Sequence, residues 1–286
     1  PSGFPKVVFY EHFANYKPGT QPSRTKWTYD IGTSYPGGAS QWGTGEKQIY
    51  TNKTENAYIT KNGTLQIVPL KKTEKGKTFW TSSRIETTKK YDFSCPAGKK
   101  IRIQAAIKLG DNLPARQLGI WPAFWLLGSK YRGNYQNWPS IGEVDIIDTV
   151  NGSPNAWHTV HCGFAPGGPC NEWNGLGNSS PFSRGKFHLA SVDIDRTNTG
   201  GLWSGEKLVW RIDGQVVYTL VGSSVKNQTA WTEVTRTAKF VLLNVAVGGS
   251  FPDLAANPKP GLGSTPNAQT LGGVKSGLEA RYVAVF

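Results

Sequence analysis

The stretch GEVDIIDTVNG, residues 142–152, sets three carboxylates, Glu143, Asp145 and Asp148, among valine, isoleucine and threonine. The β-branched residues ask for a strand, and side chains along a strand alternate between its two faces. Glu143 and Asp145 therefore share one face, with Val144 and Ile146 on the other. Plain alternation sends Asp148, five residues after Glu143, to the wrong side. One extra residue bulged out between Asp145 and Asp148 returns it to the face of the other two. The expectation is a bulged strand with three acids on one concave face and Val144 and an isoleucine in the core. Crowding three carboxylates is costly unless they share protons or hold a ligand. On spacing alone, a solvated strand face, a calcium site and a catalytic group all stay open.

The surrounding chain repeats the strand signal. KVVFYEHF, AYIT, TLQIVPL, SSRIETTK, KIRIQAAIKL, AWHTVHCGF, LASVDID, KLVWRIDGQVVYTL, FVLLNVAVGG and ARYVAVF are short, β-branched or aromatic, and bounded by turns. Asp213-Gly214 between LVWRI and QVVYTL predicts a type I′ hairpin. No segment sustains an apolar period of 3.6, so helix is expected to be minor. With 34 glycines and 18 prolines for the turns, this pattern predicts an all-β chain of two antiparallel sheets packed face to face. The irregular stretch AANPKPGLGSTPNAQTLGG is followed by another strand, so it reads as an excursion, and residues 1–286 read as a single domain.

Composition narrows the function classes. Eleven tryptophans, eleven tyrosines and twelve phenylalanines exceed the needs of one core and point to exposed stacking surface, as in sugar clefts. The net charge of +13 admits an anionic partner, but the lysines are scattered and no nucleic-acid module accompanies them, so no nucleic-acid partner is expected. No apolar run approaches the roughly 18 residues that span a bilayer, which speaks against a membrane partner. The chain starts at Pro1, lacks methionine and carries sequons at Asn52, Asn62, Asn151, Asn178 and Asn227. Together these suggest a processed, secreted, glycosylated eukaryotic protein. Of three cysteines, Cys162 and Cys170 flank the loop GFAPGGP, which a disulfide would staple, leaving Cys95 as a buried thiol; three reduced thiols are the alternative. No cysteine or histidine spacing suits a metal.

Three stretches around the acids, GIWPAFWLLG (119–128), NWPSIGEVDIIDTVNG (137–152) and TVHCG (159–163), resemble glycoside hydrolase family 16, the laminarinase and lichenase family. Its motif is Glu-x-Asp-x-x-Glu on a bulged strand, preceded by Trp-Pro-Ala-x-Trp. GEKQIYT (45–51), TSSRIET (81–87), FHLASVDIDR, WRIDG and FVLLNVAVGG (240–249) extend the likeness in order along most of the chain, closest in pattern to secreted fungal endo-β-1,3(4)-glucanases. The resemblance implies a β-jelly-roll sandwich with a concave substrate cleft and retaining hydrolysis of a β-glucan by a monomer without cofactor. A structural calcium on the convex face is known in the family, but the sequence offers no dedicated ligand cluster for it.

By the same resemblance Glu143 matches the nucleophile, Asp145 the middle acid that bonds it, and Asp148 the acid/base. Trp125, Trp138 and His161 fall on residues lining the sugar sites, and Arg84, Glu46 and Asn244 on matching polar positions. Core packing is accepted for Trp121, and a core hydrogen-bonding role for His161 stays open. The departure is Asp148, where the family has glutamate. One methylene fewer retracts the carboxyl by roughly 1.2–1.5 Å. The consequence is an active retaining enzyme with a compensating backbone, a glucan-binding lectin with weak catalysis, or an inverting enzyme with water in the widened gap.

Overall fold

Asp213 and Gly214, both at positive φ (50° and 83°), turn the strand Lys207–Ile212 into Gln215–Val221. That is the hairpin the sequence predicts, and it forms one edge of the larger of two sheets. In the computed structural model, described for residues 3, 4, 6–197, 199–256 and 265–286, this sheet continues through Phe187–Asp195, Lys100–Leu109, Leu278–Val285, Leu65–Ile67 and Ala57–Ile59. Phe9–His12 also pairs with Leu278–Val285. The second sheet runs Leu176–Pro181, Asn155–His161, Glu143–Asp148, Ile120–Gly128, Lys239–Val247, Arg84–Thr87, Trp27–Asp30. All pairings in both are antiparallel.

The inward faces of the two sheets interdigitate in one apolar cluster. Ile103, Ala105, Ile107, Val192 and Trp210 come from one sheet, and Phe124, Leu126, Val144, Val241, Leu243 and Val245 from the other. Each large side chain removed from water here contributes about 1.5–3 kcal/mol. Cys162 and Cys170 form the expected disulfide and Cys95 is a buried free thiol.

Some elements were not legible. Gln48–Tyr50, Lys77–Ser82 and Leu70–Glu74 form a third, small sheet with one parallel pair. The helix Gln228–Thr235 is capped by the Asn227 side chain accepting from Ala230 N–H. Of the irregular stretch, residues 257–264 lie outside the described residues, and the strand expected after it is Leu278–Val285. No helix among the described residues is long and apolar enough to cross a membrane.

Candidate active site

The bulge is at Ile146. On the Asn155–His161 strand, Glu143 pairs with His161, Asp145 with Thr159 and Asp148 with Trp157. Three steps on the acid strand thus match two on its neighbour. On the other side, Trp125 opposes Asp145 and Phe124 opposes Ile147, so Ile146 is the extra residue. Both Ile146 and Ile147 are fully buried with Val144 in the core, one isoleucine more than expected. A bulge leaves ladder carbonyls unpaired, and a buried unpaired carbonyl is expensive. Here the Trp210 indole, reaching over from the opposite sheet, donates to Asp145 O at 2.8 Å. His158 Nδ1 donates to Ile146 O, also at 2.8 Å, while its Nε2 accepts from Ser180 Oγ. Burial keeps His158 below the usual histidine range, as a neutral ring with that donor pattern requires.

On the outer face, the three acids meet aromatic N–H groups. Trp138 Nε1 donates to Glu143 Oε2 at 3.1 Å and Trp121 Nε1 donates to Asp148 Oδ1. Trp121 is therefore not core packing as the sequence suggested. It is half-buried on the acid face, edge-on to Phe251, which in turn meets Trp157 edge-on. Plain alternation along its own strand, which pairs with Lys239–Val247 in unbroken register, sets Trp121 opposite to inward Phe124 and on the face of Trp125. His161 presents Nε2 to Asp145 Oδ2 at 3.6 Å and to Glu143 Oε1 at 4.0 Å. Its Nδ1 donates to Glu172 Oε2 at 2.7 Å, so the open core-bonding role and a place at the acids both apply.

Trp125, half-buried, is held by a relay. Its Nε1 donates to Asn244 Oδ1 at 2.7 Å, Asn244 Nδ2 donates to Tyr50 OH at 3.1 Å, and Tyr50 donates to Glu46 Oε2 at 3.1 Å. Arg84 lies 4.8 Å from the Trp125 ring centre and 4.7 Å from that of Trp42, with Nε on Asp30 Oδ2 at 2.9 Å. Glu46 and Arg84 are thus brought to the site but buried and already paired. They shape the Trp125 wall from behind.

Electrostatics separate the acids. Burial pushes Asp148 up to about 7, against the lowering effect of the Trp121 N–H. Burial raises Asp145 furthest, with the Glu143 charge adding to it. Burial also raises Glu143, opposed first by His161 and then by the Trp138 N–H and Arg84. For His161, burial favours the neutral ring but is outweighed by the Glu172 hydrogen bond and the charges of Glu143 and Asp145, which lift it to about 9. Glu143, Asp145 and His161 gather ligand-type atoms within 4.8 Å of one another. With the His161 imidazole raised between Glu172 and these two carboxylates, the group reads as a proton-sharing cluster. One acid about half protonated near neutrality and a second beside an imidazole are two carboxyls in unlike environments on one strand, an arrangement suited to acid/base chemistry.

Three residues at the site carried no signal in isolation. Glu172 follows the disulfide by two positions, Trp157 sits opposite Asp148, and exposed Trp173 stacks on Trp138 with ring centres 6.0 Å apart. Only the disulfide at 162–170 hinted that the segment carrying Glu172 and Trp173 is pinned near His161.

Comparison with known proteins extends beyond the motif. A family profile for the XgeA-like catalytic domain of glycoside hydrolase family 16 matches residues 46–174. The crystal structure of endo-1,3-β-glucanase from Streptomyces sioyaensis is 39% identical and superposes with a TM-score of 0.89 over 100% of this chain and 96% of that one. Endo-β-1,3-glucanase from Pyrococcus furiosus superposes with a TM-score of 0.70 at 26% identity, over 98% and 93% of the two chains. Glucan endo-1,3-β-glucosidase A1 of Niallia circulans is 26% identical over 94% of this chain, which spans only 36% of that relative's length.

Proposed function

The chain belongs to glycoside hydrolase family 16, and on that premise we propose that it is a secreted, monomeric endo-β-glucanase in which residues 1–286 form one catalytic domain. It hydrolyses β-1,3 or mixed β-1,3/1,4 glucans with retention. Glu143 attacks the anomeric carbon while Asp148 gives its proton to the departing glycosidic oxygen. The glycosyl ester on Glu143 is then opened by water, from which Asp148 takes the proton back. Asp145, favoured in its protonated form, stands next to Glu143 and limits the build-up of like charge. Trp125, Trp138 and His161 line the sugar sites, with Glu46, Asn244 and Arg84 supporting Trp125.

The observation that carries this reading is the pairing of opposite environments on one strand: Asp148 raised to about 7 and Glu143 within 4.0 Å of a protonated imidazole. A second reading, a glucan-binding protein with feeble catalysis, is favoured by the short acid at 148. The test is reducing-sugar release from laminarin, lichenan and barley β-glucan by wild type, Glu143→Gln and Asp148→Glu. Cleavage by wild type that Glu143→Gln abolishes supports the enzyme. An inert wild type revived by Asp148→Glu supports the binder, and silence from all three on every glucan refutes the substrate class.

A further inference from the structure

The Glu172 side chain is wholly shielded from solvent, and both its oxygens are engaged. Oε2 accepts from His161 Nδ1 at 2.7 Å, and Oε1 accepts from the backbone N–H of Cys162 at 2.8 Å. A buried carboxylate is tolerated only when paired in this way. The disulfide secures the arrangement from both ends. Cys162 supplies the amide, and Cys170, bonded to it across a Cα separation of 5.3 Å, lies two residues before Glu172. Beyond the imidazole, His161 Nε2 faces Asp145 at 3.6 Å and Glu143 at 4.0 Å. Charge therefore alternates along a line from Glu172 through His161 to Glu143.

We propose that Glu172 is a positioning residue acting through His161: it fixes the imidazole's orientation and holds it as a cation against Glu143, with the Cys162–Cys170 disulfide clamping Glu172 in place. The proposal rests on reading Glu143 as the nucleophile. A nucleophilic carboxylate has to be ionised, and burial works against that. The His161 charge is the largest effect opposing burial at Glu143 and exceeds the direct repulsion from Glu172, which raises Glu143; among the described residues His161 is the cationic side chain within 4.0 Å of it. The other charged groups around this cluster are Asp145 and Asp148 on the acid strand, and Arg84 and Glu46 from across the sheet. Arg84 is committed to Asp30. Trp138, with its ring centre 5.5 Å from that of His161, contributes only a neutral N–H. A neutral His161 would leave Glu143 facing mainly acids.

The experiment compares whole wild-type protein with Glu172→Gln by nitrogen-15 NMR of the histidine rings and by the pH profile of kcat/KM on laminarin. In wild type the His161 ring stays doubly protonated at pH 8, since it loses its proton only near pH 9. In Glu172→Gln it becomes neutral at lower pH. Losing the His161 charge moves the acid limb of kcat/KM upward and losing the Glu172 charge moves it downward; His161 has the larger effect on Glu143, so the net movement is upward. KM changes little. Glu172→Asp, which keeps the charge, recovers part of the wild-type profile, and Cys162→Ser/Cys170→Ser moves it in the Glu172→Gln direction. An unmoved His161 titration, or a slower Glu172→Gln enzyme with an unmoved acid limb, overturns the proposal. If Glu172→Gln fails to fold, the wild-type ring decides alone, because a neutral His161 at pH 7 overturns it. An inert wild type refutes the proposed function while the His161 titration still judges the Glu172 coupling. A dead Glu143→Gln beside an unshifted Glu172→Gln leaves the function standing and removes the proposal.

Discussion

Replacing Asp148 with asparagine isolates the proton from everything else at that position. The Trp121 N–H donates to Asp148 Oδ1, and an asparagine side-chain oxygen accepts the same bond, so the group keeps its place and the indole keeps its partner. What is lost is the acid, raised to about 7 and so about half protonated at neutral pH. General acid catalysis contributes on the order of 10²–10⁴-fold. At about 1.36 kcal/mol per decade, that is roughly 3–5 kcal/mol of transition-state stabilisation. Two substrates make the assay decisive: laminarin, whose alkoxide leaving group needs a proton, and an aryl β-glucoside oligosaccharide whose phenolate does not. The expected result is a loss within that range on laminarin and a loss of less than about tenfold in ester formation on the aryl substrate. Equal losses on both, or a laminarin rate within a few-fold of wild type, would refute the assignment of Asp148 as the acid.

The same acid gives wild-type kcat/KM a falling limb as pH rises through about 7, because the form that donates disappears; a pH–rate profile without that limb counts against it. Stability follows with a sign of its own. The folded pKa of Asp148 is raised above its unfolded value, so between about pH 4 and about pH 7 the native state holds a proton that the unfolded chain has released, and wild type loses stability as pH climbs through that window. The Tm advantage of Asp148→Asn over wild type is therefore expected to grow from pH 4 to pH 7 in calorimetry, and a constant difference contradicts the shift. Trp210→Phe removes the donor to Asp145 O. It is expected to cost about 1–3 kcal/mol in denaturant unfolding and to lower kcat more than it changes KM. Cys162→Ser/Cys170→Ser opens a crosslink of sequence separation 8. The entropic loss is about 2.5 kcal/mol, read as a Tm drop of roughly 5 °C.

The sheet architecture was legible because burial on one face writes period-two patterns into the chain, and Asp213-Gly214 carries its own turn chemistry. The bulge was legible for a related reason: three acids on one face are incompatible with an unbroken alternation. What escaped depended on partners distant in sequence. Trp121 looked like core because its neighbours are apolar and its partner, Asp148, lies 27 residues on, although alternation already sets it on the face of Trp125. Glu172 lies 11 residues from His161, on an irregular segment with no period to read, and its position follows from a disulfide whose pairing was only one of two alternatives. The strand Leu176–Pro181, sequence LGNSSP, carries no β-branched residue and is held by its pairing with Asn155–His161. Trp210 and His158 sit inside strand segments with nothing in the sequence to single them out, and their polar atoms acquire meaning only once the bulge has freed two carbonyls.

A shorter strand, Glu-Val-Asp-Ile-Asp, would also place three acids on one face, by alternation alone and with no carbonyl left to satisfy. The extra isoleucine therefore does something other than correct the phase. It rotates the chain: a bulge adds local right-handed twist, and the second buried isoleucine locks that rotation into the sandwich, so the third carboxylate is turned relative to the first two as if on a different bearing. Chemistry that needs an attacking group and a protonating group to approach one bond from different directions is served by a strand that changes heading midway. Deleting Ile146 would keep every acid, every face and a better-formed ladder, and lose the heading; such a variant separates having the right groups from aiming them.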